Sequence, residues 1–308
     1  MYDGVINIYK ENGFTSFDVV AKLRGILKQK KIGHTGTLDP DAEGVLVVCL
    51  GKATKLCDIL TDKNKSYEAV FRLGITTDTE DSSGTVMSQK DVCVTEEQVK
   101  DVIQSFVGEY QQIPPMYSAI KVNGRKLYEL ARQGIEIERK PRPVMIHDIE
   151  ILSIQLPVVK IAVNCSKGTY IRSLCRDIGE QLGCGAVLEH LLRTSVNAQE
   201  TGFVFTTQDA LRLSDVESLV SQGMLDSHII SIDRLFPRYP KYTVNKNGNA
   251  RLMNGNLLSL HDLEGEVSEQ EDGTPGLIYD QDGIFRAIYR YQSCLLYTSD
   301  AADDSLRV

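Results

Sequence analysis

The chain of 308 residues has no apolar run that approaches the ~18 residues of a membrane-spanning helix. Its opening, MYDGVINIYK, lacks the basic start and apolar middle of a secretory signal, so a cytoplasmic protein is expected. The seven cysteines, at 49, 57, 93, 165, 175, 184 and 294, include no C-x-x-C pair, and the five histidines lie far apart. Neither a disulfide framework nor a zinc site has the spacing it needs, which leaves reduced core thiols and no metal as the expectation. A positive net charge is absent too. The total is −8, yet positions 262 to 308 hold eleven acidic residues against three arginines, and the remainder balances 31 against 31. Within that neutral remainder, Tyr110 to Met145 carries seven Lys and Arg against three Glu, and Lys10 to Thr35 carries six against two. Those two stretches are candidate phosphate contacts despite the acidic total.

The periodicity implies alternating short elements. Val5 to Ile8 reads as a strand, and a helix capped by Thr15 or Ser16 follows, with Phe17, Val20, Leu23 and Leu27 on its apolar face. Gly33 to Gly44 is broken by glycines and Pro40 and reads as a loop that feeds the apolar strand Val45 to Leu50. Lys52 to Leu60 suggests a short helix, Ser66 to Leu73 a half-buried strand, and Thr76 to Gly84 a polar turn. Thr95 with Gln98 forms a capping box ahead of a helix; Val144 to Ile154 and Val158 to Cys165 are strands, and a helix opens at Lys167-Gly168-Thr169. Strands and helices mix without a strict β-α-β repeat, so the fold class is α+β. Pro237 and Pro240 bracket a linker to a Gly-rich segment of short strands.

The loop GHTGTLDPDAEG presents Asp39 before Pro40, a position biased to extended backbone. An isolated Asp-Pro is ordinarily a turn cap. Its context changes that reading. The segments GVINIYKENGFTSFDVV, KIGHTGTLDPDAEGVLVVCLGKATKL, DKNKSYEAVFRLGITTDTEDSSG, PPMYSAIKVNGRKLYELARQGIEIERKPR and CSKGTYIRSLCRDIGEQLGCGA resemble, in collinear order from about residue 4 to 200, the TruB-type tRNA pseudouridine synthases. One departure is Glu11, where many members have proline.

The resemblance implies an isomerase that converts the T-loop uridine of tRNA, uridine-55, to pseudouridine by base flipping, with no metal or organic cofactor. It implies a catalytic domain over 1–233 with a mixed, mainly antiparallel sheet flanked by helices and an RNA-binding insertion at 110–145. A small PUA-like C-terminal β domain over 238–292, expected to be cut short at its end, follows. The last segment, 293–308, reads like a translated sequencing adapter and is set outside the fold. A monomer that binds the T-arm stem-loop is expected.

By the same resemblance Asp39 is the essential aspartate, Tyr67 the active-site tyrosine that stacks on the base or moves a proton, and Arg172 the arginine paired with the aspartate. Such pairing is expected to lower the Asp39 pKa. His34 matches a loop histidine that fills the space of flipped nucleotides. Lys121, Arg125 and Lys126, together with Arg132, Arg139 and Lys140, are expected at phosphates, and Tyr170 and Lys10 complete the RNA-contacting set, although Lys10 also fits a loop support. Read singly, Tyr67 suits a core position, and Arg172 and the basic run suit solvated helix faces. A non-catalytic tRNA-refolding protein is the main rival. A glycoside hydrolase using Asp39, Asp41 and Glu43 is disfavoured, because carboxylates two residues apart on one loop rarely face each other across the ~5 Å or more required.

Overall fold

A computed structural model describes residues 1–57, 60, 64–122, 124–198, 202–265, 270–292 and 295–298. In chain order, β1 (Gly4–Lys10), α1 (Ser16–Leu27), β2 (Ile32–His34), β3 (Glu43–Leu50) and β4 (Asn64–Leu73) precede a hairpin of β5 (Ile75–Thr77) and β6 (Val86–Gln89). Then come α2 (Glu96–Ser105), β7 (Gly108–Gln112), a second small hairpin of β8 (Lys121–Val122) and β9 (Arg125–Lys126), and α3 (Leu127–Ala131). The half closes with β10 (Arg142–Gln155), β11 (Val158–Cys165), α4 (Ile171–Gln181), β12 (Ala186–Ala198), β13 (Phe203–Thr206) and α5 (Leu213–Ser221).

The large sheet runs β1-β3-β12-β4-β11-β10-β7, with β2 on β3 and β13 on β12. Only the β3/β12 pair is parallel, so the α+β, mainly antiparallel expectation holds. The alternation in β4 is the reason its register is firm: Lys65, Tyr67, Ala69, Phe71 and Leu73 all turn to the buried face, so a one-residue slip would bury their polar neighbours. α4 packs against β12 and β4 through Ile171, Leu174, Cys175 and Ile178, which places its first turn beside Tyr67.

α1 is capped as expected. The Asp18 N–H donates to Thr15 Oγ1 at 3.0 Å and the Thr15 N–H donates to Asp18 Oδ2 at 2.9 Å, an arrangement whose loss costs about 1 kcal/mol. Its buried face is Ser16, Val19, Val20, Leu23 and Leu27. Phe17 does not belong to it: the ring is 64% exposed, with Arg24 stacked over it, because the cap fixes the helix phase one position away from the Phe17 frame. Three other expectations shift. The Gly33–Gly44 loop is irregular only in its centre, since its ends are drawn into β2 and β3, and the polar turn at Thr76–Gly84 opens with strand β5. The helix expected from Lys52 is a 3-10 helix over Gly51–Leu56; residues 58 and 59 of that expectation lie outside the described residues.

A second sheet, β14 (Lys241–Thr243), β15 (Leu258–Ser259), β16 (Pro275–Tyr279), β17 (Phe285–Gln292) and β18 (Leu295–Thr298), runs in the order β14-β16-β17-β18-β15, with α6 (Lys246–Met253) beside it. Leu295–Thr298, within the segment expected outside the fold, form a strand because Leu296 is buried opposite Leu258 and Tyr291. Val5, Val45 and Val47 of the large sheet share one apolar cluster with Leu235, Phe236, Leu277 and Ile288, so the second sheet packs on the first.

Candidate active site

Asp39 stands on an irregular loop that is pinned along its length by the segment just after β1. The Gly13 N–H donates to Pro40 O at 3.0 Å and the Asn12 amide to Asp41 O at 2.9 Å. Ser16 Oγ accepts the Leu38 N–H at 2.8 Å and donates to Leu38 O at 3.2 Å. Beneath the loop, Lys10 is fully buried and its Nζ donates to Pro40 O at 2.9 Å, Glu11 O at 3.1 Å and Ala42 O. Burial pulls the ammonium down to about 8, against the opposing pull of Asp39, Asp41 and Glu43. Lys10 therefore leaves the RNA-contacting set: with no exposed surface it cannot meet a phosphate, and it acts as the loop support.

Across the cleft, Arg172 on the first turn of α4 is 4% exposed and touches three separate segments. Its Nε lies 2.9 Å from Asp39 Oδ2, an ion pair without the alignment of a good hydrogen bond. Nη1 donates to Thr79 O at 3.0 Å and lies 3.5 Å from Asp81 Oδ2, while Nη2 donates to Tyr117 O at 2.9 Å. Two carbonyls and two carboxylates leave the guanidinium one orientation, aimed at Asp39. The Asp39 side chain keeps 42% of its surface open to the cleft. Its pKa is raised, not lowered as the pairing alone implied: burial outweighs the pull of Arg172, and Asp81 adds to the upward push.

Tyr67 projects from β4 behind Asp39, and burial pushes its hydroxyl up to about 12 against the opposing field of Arg193. Tyr170 precedes α4; Gln112 clamps it, accepting the Tyr170 N–H at 2.8 Å and donating to Tyr170 O at 3.0 Å. His34 ends β2 beside the loop, half-buried, and burial with the nearby Arg193 charge holds its imidazole below the usual value. The structure thus brings Asp39 and Arg172 together at one cleft, which Asp81, Ser82, Glu189 and Leu191 also line, with Tyr67 and Tyr170 near enough to feel the Asp39 charge.

Lys121, Arg125 and Lys126 lie apart from that cleft, on the β8/β9 hairpin of an insertion whose core is Met116, Leu127 and Leu130. Lys121 and Arg125 are exposed, and Lys126 and Arg132 both sit over the Tyr128 ring. Arg139 turns inward to Pro114 O at 3.2 Å. Sequence reasoning did not single out Asp81, Gln112 or Arg193. Asp81 is fixed by a turn built on Glu80, which is 8% exposed, has a φ of +65° and accepts hydrogen bonds from Ser173 and Arg176. No spacing in that polar turn marks it. Arg193 had a usable signal: it falls two residues after Leu191, in the inward frame of that stretch of β12.

Among the described residues no cluster of His, Cys, Asp or Glu suits a metal, and no helix is long and apolar enough to cross a membrane. The mixed sheet places a carboxylate–guanidinium pair, Asp39 and Arg172, at a cleft lined from separate strands, loops and a helix. Residues 24–171 match the family described as TruB family pseudouridylate synthase (N terminal domain), and residues 172–236 match the tRNA pseudouridylate synthase B C-terminal domain. The chain is 54% identical to tRNA pseudouridine synthase B of Lachnoclostridium phytofermentans over 94% of this chain and 95% of that protein. It is 45% identical to the same-named protein of Clostridium perfringens strain 13 over 92% and 93%. The solved Cbf5-Nop10-Gar1 complex contains a similar chain, with a TM-score of 0.68 and 26% identity over 96% of this chain and 84% of that one. A structure of an H/ACA RNP bound to a substrate RNA containing 2'-deoxyuridine matches with a TM-score of 0.65 and 26% identity, over 99% and 82%. The chain belongs to the TruB family of pseudouridylate synthases.

Proposed function

We propose that this protein isomerises uridine to pseudouridine in tRNA, at uridine-55 of the T-loop, with Asp39 as the attacking carboxylate. The observation that carries the reading is the Asp39–Arg172 pair, 2.9 Å apart at the mouth of the cleft with Tyr67 behind it. The carboxylate attacks the nucleoside, the glycosidic bond breaks, and the freed base turns and rejoins through carbon. Covalent catalysis divides one difficult step into two easier ones. Arg172 aims the carboxylate, and Tyr67 offers a ring for stacking and a hydroxyl for proton transfer. A base stacked in folded tRNA cannot reach a recessed carboxylate, so flipping precedes chemistry at a cost of a few kcal/mol. His34 and Tyr170 border the space the flipped nucleotides would enter or leave, and Lys121, Arg125 and Lys126 supply phosphate contacts.

The test is Asp39→Asn assayed on a T-arm stem-loop. Pseudouridine formation is expected to vanish while the RNA Kd stays within a few-fold. Substantial activity in the variant would remove the aspartate from the chemistry, and a wild-type protein that binds the stem-loop without isomerising it would favour a tRNA-refolding role.

A further inference from the structure

Arg193 heads the fully buried large side chains of the described residues, at 2% exposure, yet it pairs with no carboxylate there. Its Nε donates to Val45 O at 2.6 Å and an Nη to Gly36 O at 3.1 Å, and its charge acts on the neighbouring Tyr67 hydroxyl. Backbone register makes the two residues neighbours. Arg193 lies directly opposite Tyr67 across the β12/β4 ladder and opposite Gly44 across β12/β3. Gly44 has a φ of +104° and a Cβ there would come within 2.2 Å of Arg193 O, so only glycine allows β3 to press Arg193 against Tyr67. Lys10 and His34, the other titratable groups that feel the Arg193 charge, offer it no counter-ion. Asp39 acts on Tyr67 but belongs to Arg172.

A buried cation without a counter-ion carries a desolvation penalty that two carbonyl bonds offset only in part. The group that could become its counter-ion is the Tyr67 oxygen. We propose that Arg193 is a positioning residue for the isomerisation: it aims the Tyr67 hydroxyl at the substrate base and balances the charge when that oxygen is transiently anionic. This rests on the pseudouridine synthase reading above.

The proton balance closes within the site. Isomerisation breaks the C1′–N1 bond, forms a C1′–C5 bond, adds a proton to N1 and removes one from C5. Tyr67 gives its proton to N1, its phenolate is held by Arg193, and it then takes the C5 proton to become phenol again. The C5–H electron pair returns to the ring as its double bond, and no outside acid, base or oxidant is consumed.

The experiment is single-turnover conversion of a T-arm stem-loop carrying uridine or 5-deuterouridine at the target, by wild type, Arg193→Gln and Arg193→Lys. The glutamine variant is expected to lose about 100-fold in rate, the lower end for removing general acid–base assistance, with RNA affinity within a few-fold. Its C5 deuterium effect should exceed that of wild type, because proton removal has become the slow step, and the lysine variant should recover part of the rate. A wild-type protein that makes no pseudouridine defeats the functional reading itself. An active wild type whose Arg193 variants match it, or slow with an unchanged isotope effect and no rescue by lysine, overturns the inference alone. Failure of both variants to fold would likewise overturn it, assigning Arg193 to the Val45 and Gly36 carbonyls.

Discussion

The Asp39 loop and the insertion between β7 and β10 are both largely irregular and both lie beside the cleft, but they are held in different ways. The loop is fastened by buried polar bonds from Lys10, Ser16 and Arg193 to its backbone carbonyls, with Asn12 and Gly13 adding ties at its rim. The insertion rests on three buried side chains, Met116, Leu127 and Leu130, and shows most of its charge to solvent. Polar bonds fix direction, which an attacking carboxylate needs within fractions of an ångström. A small apolar core fixes only approximate place, which suffices for lysines and arginines that track a phosphate backbone. Tyr117 joins the two regions, since its carbonyl is one of the four groups that orient Arg172.

Breaking the directed half should have the larger effects. Arg172→Lys keeps the charge but loses the fork that spans Asp39, Thr79 and Tyr117, and the rate on the stem-loop is expected to fall by about 100-fold or more. The same change weakens the downward pull on the Asp39 pKa, so the acid limb of kcat/KM should move to higher pH; a limb that stays in place would mean Arg172 does not act on Asp39.

Lys10→Met strips the donor from three carbonyls and is expected to cost about 1–3 kcal/mol of stability at neutral pH, read from urea unfolding. RNA affinity should hardly change, whereas a phosphate-contacting lysine would cost affinity and spare the fold. The pH dependence has a definite sign. With the native value about 8 and the free value 10.5, the unfolded chain binds more protons between those pH values, so wild type gains stability as pH rises through that window. Lys10→Met lacks this gain.

The gentlest change is in the insertion. Lys121→Ala with Arg125→Ala should weaken RNA binding and flatten its salt dependence by up to about two phosphate contacts, with single-turnover rate at saturating RNA preserved. An unchanged salt slope would take the hairpin out of the interface.

Much of this architecture is legible in the sequence because local chemistry and global fold agree. The period-2 pattern of β4 and the capping box at Thr95 are expectations that the structure meets, and of the two N-cap candidates for α1 it selects Thr15. Phe17 misled because a helical period of 3.6 tolerates a neighbouring frame and only the cap settles the phase. The Asp39 pKa misled for a different reason: a partner cation is visible in a motif, but the depth of the cleft that surrounds it is a property of the assembled sheet. Lys10 could be read as a surface charge until β1 and the loop were seen to close over it. Asp262 and Asp280, part of the acidic excess near the C-terminus, are buried hydrogen-bond acceptors, so charge totals overstate how acidic the surface of the second sheet is.

The central claim is that the Asp39 carboxylate makes pseudouridine in the tRNA T-loop. Pseudouridine can be mapped in total tRNA from cells lacking this gene and from the same cells given back wild type or Asp39→Asn. The account predicts that the T-loop modification disappears on deletion, returns with wild type and stays absent with Asp39→Asn. An unchanged T-loop signal in the deletion strain, or full restoration by Asp39→Asn, would contradict it.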